Sequence, residues 1–240
     1  MKLGTTEEEA TTSVYAFLRN PTLVDYPGRL AATFFISGCN MRCGYCHNPD
    51  LLQTRKSGLS RGRLEEACAR FRDQWVEAAV LTGGEPTMAP DLPSIIAFFK
   101  SFGWAVKLDT NGSRPEVLRE VIGQVDYVAM DIKASPGRYA ELTDFAHPER
   151  LCESIRLIQD LATDYEFRTT LLDPFHDDAQ LMEIAELVRD ARRYILQPFV
   201  PKDEMPDPAF QRLSRTSPER LRQAAALVSG SAREVLVRGD

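Results

Sequence analysis

The sequence holds no run of about 18 or more apolar residues, so no segment is expected to cross a membrane as a helix. It also lacks a secretory start. Met1 to Thr12 is polar and carries Glu7-Glu8-Glu9 in place of a basic region and an apolar stretch, so a cytoplasmic protein is expected. Long Lys/Arg blocks are missing too, and the formal net charge is −6. Nucleic-acid binding draws on many basic contacts to phosphates, so no nucleic-acid partner is expected. Internal repeats and low-complexity linkers are likewise missing. Cysteines are few and odd in number, at five. A disulfide framework would space its cysteines more widely and suits a smaller secreted chain. What remains is an ordinary soluble composition, 43% hydrophobic and 27% charged over 240 residues, enough for one large core.

The patterning alternates short β-like runs with longer helical ones. The β-like runs are Ala31–Ile36, Ala78–Leu81, Ala105–Leu108, Tyr127–Met130, Glu166–Leu171 and Tyr194–Leu196, with a weaker one at Glu234–Val237. Between them, apolar residues recur at helical spacing: Leu64, Cys68, Phe71 and Trp75; Val117, Leu118, Val121 and Ile122; Leu151, Ile155, Ile158 and Ala162; Leu181, Ile184, Ala185 and Val188. Strands alternating with helices imply an α/β fold with parallel pairing through right-handed crossovers. About six such units suit a partial (β/α)6 barrel better than an open sheet, though periodicity alone does not decide between them. In either fold, ligands gather at the C-terminal ends of the strands. Residues 1–20 are expected to be an N-terminal extension and residues 21–240 a single domain.

Polar motifs follow the strands directly. The first is the C-x3-C-x2-C loop Cys39, Cys43 and Cys46. Thiolates suit iron–sulfur clusters or zinc. Cubane clusters ordinarily take four cysteines, so three would leave one iron open to a chelating small molecule. Zinc, with His47 or a distant cysteine as fourth ligand, is the alternative on spacing alone. Cys68 and Cys152 lie on or beside apolar stripes and are expected to be structural. The second motif, Thr82-Gly83-Gly84-Glu85-Pro86, is either a turn or a place where backbone approaches a ligand closely. The third, Asp109-Thr110-Asn111-Gly112, suits an Asx-type turn. Asp131 and Lys133 end the fourth run, and a solvated ion pair would account for them. Arg168, on the fifth run, would serve equally in a salt bridge.

The string Asp25-Tyr26-Pro27-Gly28, Gly38-Cys39-Asn40 and Tyr45-Cys46-His47-Asn48-Pro49 resembles the radical S-adenosylmethionine (SAM) enzymes. Among them it is similar to the activating enzymes of glycyl radical enzymes, and most to the activators of anaerobic ribonucleoside-triphosphate reductase. The resemblance implies a barrel of the radical SAM type, open on one side, with a [4Fe–4S] cluster on Cys39, Cys43 and Cys46. It implies that Gly83, Gly84 and Glu85 meet the SAM amine and that Tyr45 lies against adenine. Asp109, Thr110 and Asp131 would bind a monovalent cation beside the SAM carboxylate, with Lys133 and Arg168 near SAM. Asp25 would face the glycyl segment of the partner enzyme. Flavodoxin or ferredoxin would supply an electron, and the resulting 5′-deoxyadenosyl radical would take the α-hydrogen of a glycine. One position departs from the pyruvate formate-lyase activators: Gln197-Pro198-Phe199-Val200 carries Val200 where they have His, so either Gln197 takes the ribose contact or the ribose is held differently. A small-molecule radical SAM enzyme such as a 7-carboxy-7-deazaguanine synthase is the nearest rival. A non-catalytic zinc or electron-carrier module would not need the later motifs.

Overall fold

The computed structural model describes residues 11–54 and 58–239. One eight-stranded sheet organises the chain, its strands in sequence order. Strand β1 (Val14–Phe17) runs antiparallel to β2 (Ala31–Ile36) at one edge. From β2 onward every pairing is parallel: β3 (Ala78–Gly83), β4 (Ala105–Thr110), β5 (Tyr127–Asp131), β6 (Tyr165–Leu171), β7 (Ala191–Pro198) and β8 (Ala232–Val237). The seven β-like runs of the sequence thus become β2 to β8. Among the described residues β8 does not pair with β1, so the sheet curls without closing. It is the partial barrel expected, with one more parallel strand than six units require.

Each crossover carries a helix with a local reason to start. Helix α1 (Arg61–Arg72) begins at Ser60, whose side chain accepts a hydrogen bond from the Arg63 amide. Helix α2 (Leu92–Ser101) carries Pro93 in its first turn, and α3 (Pro115–Val121) begins on Pro115. Helices α4 (Tyr139–Thr143) and α5 (Pro148–Leu161) lie between β5 and β6. Helix α6 (Asp178–Leu187) is capped by Asp177, which accepts from the Gln180 amide at 2.8 Å. After β7 come α7 (Pro208–Gln211) and α8 (Pro218–Leu227), the latter capped by Ser217. Trp75 departs from the helical stripe expected for it. Helix α1 stops at Arg72, and Trp75, at φ 63°, is 87% exposed.

Strand alternation sorts side chains onto the two faces of the sheet. Ala32, Phe34, Ile36, Leu81, Val106, Leu108 and Met130 point out and bury themselves under the helices in the main core. The opposite face is smaller and more polar. At its N-terminal end Ala31, Ala78, Val80, Tyr127 and Ala129 form a second apolar cluster, which Tyr26 joins. Toward the C-terminal end the inward positions become Lys107, Asp109, Asp131 and Arg168, a charged layer inside the barrel. Within the segment expected as an extension, Val14 is buried and Phe17 packs 6.0 Å from Phe34. Among the described residues no helix is long and apolar enough to cross a membrane.

Candidate active site

The largest concentration of predicted site residues lies where β2 to β6 end. A cavity of about 910 Å³, its open mouth included, gathers Cys39, Cys43 and Cys46 from the loop after β2. Across it stand Gly83 at the end of β3 with Gly84 and Glu85 after it, Asp109 and Thr110 at the end of β4, Asp131 at the end of β5 with Lys133 after it, and Arg168 on β6. Tyr45 also lines it, though the residue is 7% exposed and its ring packs 5.8 Å from Phe210. Asp25 and Gln197 are not among the residues lining the cavity. The Asp25 carboxylate accepts from the Thr33 hydroxyl at 2.8 Å instead. Gln197 sits opposite Thr170 in the β6–β7 register, and Thr170 reaches the cavity.

The cysteine loop is held from below by the other motifs. The Gly84 amide donates to the Ile36 carbonyl and the Glu85 amide to the Gly38 carbonyl, each at 2.8 Å. This close approach is why glycine stands twice. A Cβ on Gly83 would lie 2.3 Å from the Ile36 oxygen, and one on Gly84 would lie 2.2 Å from the Gly38 oxygen. Gly83 also has φ 126°, where a side chain is strained. The Glu85 carboxylate points into the protein. Its Oε1 accepts from the Thr87 amide at 3.0 Å, the Thr87 hydroxyl at 2.6 Å and the Thr110 hydroxyl at 2.8 Å. Its Oε2 accepts from the Asn111 amide at 2.6 Å. Burial pushes the Glu85 acid up, while these donors pull it back down. Glu85 therefore ties the loop after β3 to the loop after β4. Asn111 extends the tie, its Nδ2 reaching Asn40 Oδ1 at 3.1 Å and Cys39 Sγ at 3.8 Å.

The opposite wall is charged. Register sets Arg168 directly beside Asp131 across β5 and β6. Arg168 Nε donates to Asp131 Oδ1 at 2.8 Å, and Lys133 Nζ donates to Asp131 Oδ2 at 3.1 Å. Burial pushes the Asp131 acid up, but Arg168 and Lys133 outweigh it and hold the carboxyl well below the usual range. Arg168 Nη1 also reaches Asp109 Oδ1 at 3.5 Å. The backbone of Lys133 is fixed by His176. The Leu172 amide donates to His176 Nδ1, so the proton sits on Nε2, which donates to the Lys133 carbonyl at 3.0 Å. Sequence reasoning passed over His176, Asn40, Asn111 and Lys107 as site residues. His47, weighed in the sequence only as a zinc ligand, lines the cavity, and its Nε2 donates to the Val200 carbonyl at 2.9 Å.

The three thiols suit a cluster. None is in a disulfide, and all three border one cavity. Burial pushes the Cys43 thiol up to about 11 and raises Cys39 as well, so a metal must displace their protons. Among the described residues no group of three or more His, Cys, Asp or Glu side chains is placed to hold a single metal ion.

The model of the radical SAM superfamily matches residues 33–188. A Methanocaldococcus jannaschii protein, named among glycyl-radical enzyme activating enzymes, is 34% identical over 90% of this chain and 91% of its own length. The pyruvate formate-lyase-activating enzyme of Streptococcus mutans is 27% identical over 85% and 86%. A 7-carboxy-7-deazaguanine synthase of Neisseria meningitidis is 38% identical, but over 40% of each chain. Among solved structures, Streptococcus suis SuiB bound to precursor peptide SuiA superposes with TM-score 0.67 at 14% identity. That match covers 90% of this chain and about half, 49%, of SuiB, and it speaks to the fold alone. With its family model matched from β2 to α6 and an activating-enzyme relative alike along nearly its whole length, this chain belongs to the radical SAM superfamily, among the glycyl-radical enzyme activating enzymes.

Proposed function

We propose that this protein uses SAM and a [4Fe–4S] cluster to place a glycyl radical on a partner enzyme, anaerobic ribonucleoside-triphosphate reductase. One observation carries the reading. The cysteine loop and the Asp109, Asp131, Lys133 and Arg168 side chains face a single cavity at the strand ends. Cys39, Cys43 and Cys46 would hold the cluster, and the cavity they border would take SAM beside it. When bound, the pair supplies one-electron cleavage of a SAM carbon–sulfur bond and a radical able to abstract a glycine hydrogen. The remaining work belongs to the protein's own side chains. Lys133 and Arg168 place positive charge where the ligand carboxylate sits. The backbone at Gly83 and Gly84 meets its amine, and Tyr45 borders its adenine. The electron comes from flavodoxin or ferredoxin.

Val200 in place of a His favours the reductase as partner over pyruvate formate-lyase. His47, tethered to the Val200 carbonyl, offers a ring nitrogen to the ribose where Gln197 does not reach. The test is electron paramagnetic resonance on anaerobic mixtures of reduced protein, SAM and a candidate enzyme. A glycyl radical signal with the reductase alone is expected. SAM cleavage with no signal on any glycyl radical enzyme would transfer the assignment to small-molecule chemistry. Cys43→Ala should lose iron, visible absorbance and SAM cleavage together. Retained cluster absorbance in that variant would remove Cys43 from the ligand set.

A further inference from the structure

Asn111 is a polar side chain beside the cysteines that the proposed chemistry leaves unused. It follows β4 directly and is buried. The pattern Asp-Thr-Asn-Gly implies an Asx-type turn, and that turn is present: the Ser113 amide donates to Asn111 Oδ1 at 2.9 Å. A backbone N–H only donates, so this contact identifies the oxygen of the Asn111 side chain and puts its NH2 group on the other side. The backbone is fixed as well, the Asn111 amide donating to Glu85 Oε2 at 2.6 Å.

The NH2 group carries two hydrogens, and two acceptors of the cysteine loop face it. Asn111 Nδ2 donates to Asn40 Oδ1 at 3.1 Å and to Cys39 Sγ at 3.8 Å. The Met41 amide donates to the same sulfur at 3.4 Å. Among the described residues the sulfurs of Cys43 and Cys46 accept no such bond. Aspartate would make the same turn, but it would set a carboxylate oxygen against a thiolate where the donor now stands. What distinguishes asparagine here is therefore its nitrogen. Hydrogen bonds to sulfur are among the factors that set the potential of an iron–sulfur cluster. A donor at the sulfur draws negative charge away from the iron, and the reduced state, with one more electron, gains most from it.

We propose that Asn111 raises the reduction potential of the cluster by hydrogen bonding to the Cys39 sulfur, which eases electron delivery by the donor. Asn111 neither holds iron nor meets substrate; it acts through Cys39. The inference rests on the reading of Cys39 as a cluster ligand. The clamp around Glu85 gains a second purpose through it. By tying the loop after β3 to both Gly38 and Asn111, it fixes the donor and the sulfur relative to one another.

The test is an anaerobic redox titration of cluster-loaded protein without SAM, followed by visible absorbance and electron paramagnetic resonance. Asn111→Ser keeps a side-chain oxygen for the turn and loses the reach to sulfur. Its one-electron reduction equilibrium should fall at least about threefold, or about 28 mV. Asn111→Asp, with a negative charge in place of the donor, should fall at least as far. Ser113→Ala loosens Asn40 but keeps the Ser113 amide and the sulfur contact, so it should stay within about twofold of wild type. Asn111 variants within about twofold of wild type overturn the inference. So does a Ser113→Ala protein that shifts as far as Asn111→Ser, since the effect would then come from the loop and not from the bond. Where only one Asn111 variant takes up a cluster, that variant decides. Loss of the cluster from both would make Asn111 a residue of loop assembly alone and would overturn the inference too. Wild-type protein that takes up no iron and sulfide would instead refute the reading of Cys39, Cys43 and Cys46 as cluster ligands.

Discussion

Glu85 shows how a single residue can belong to a site without facing its ligand. Its carboxylate is fully buried and accepts four hydrogen bonds, so what it contributes is the spacing between two loops. The Gly-Gly pair before it acts the same way, by letting one backbone rest on another. Gly84→Ala would press a methyl group against the Gly38 oxygen and, at 2.7 Å, the Leu51 oxygen. Relieving that contact must move the cysteine loop. The expected cost is about 1–3 kcal/mol of stability together with lower iron loading, read by denaturant unfolding and metal analysis. At this scale the sequence foresaw which residues would lie together better than it foresaw their hydrogen-bond partners. Cys39, Cys43, Cys46, Asp131, Lys133 and Arg168 all reach one cavity, as their positions after strands imply. The inward turn of Glu85 was not legible, because its partners Thr110 and Asn111 come from another strand end. Lys107 was hidden in a run read only as β-like; its pairing with Asp109 depends on both residues facing the barrel interior.

At the scale of elements, the strand–helix rhythm was readable because burial on two faces leaves nearly continuous apolar runs. The exceptions have local causes. Strand β1 escaped notice since a four-residue edge strand with Tyr15 exposed carries little pattern. Trp75 continued a helical spacing on paper, but the chain leaves α1 three residues earlier and turns through a left-handed backbone. Helix starts carry measurable energy. Asp177 caps α6 and follows His176, so Asp177→Ala should lower stability by about 1 kcal/mol, seen as a shifted denaturation midpoint with an unchanged slope. A slope that also falls would mean that α6 unfolds separately.

The whole molecule adds a dependence on pH. Burial pulls His176 down to about 4 from its ordinary 6.5, with Arg138 and Arg220 acting in the same direction. The folded state then refuses a proton that the unfolded chain accepts. The stability that His176 confers is full above the unfolded value and is lost as pH falls from 6.5 toward 4. The size is about 3 kcal/mol over that window. Glu85, raised by burial, works in the opposite direction, so the comparison must isolate the histidine. A His176→Gln protein should show a flatter stability profile between these pH values, measured by urea unfolding. Parallel profiles would place the acid sensitivity elsewhere.

The clamp between the loops after β2, β3 and β4 is made wholly of protein groups: backbone amides, Glu85, Thr110 and Asn111. Nothing in it is lent by iron, sulfide or SAM. The fold should therefore survive loss of the cluster. Air that destroys the cluster should leave a folded vessel with its three thiols still facing one space. Repair then becomes a matter of reduction and resupply, without new synthesis of the chain.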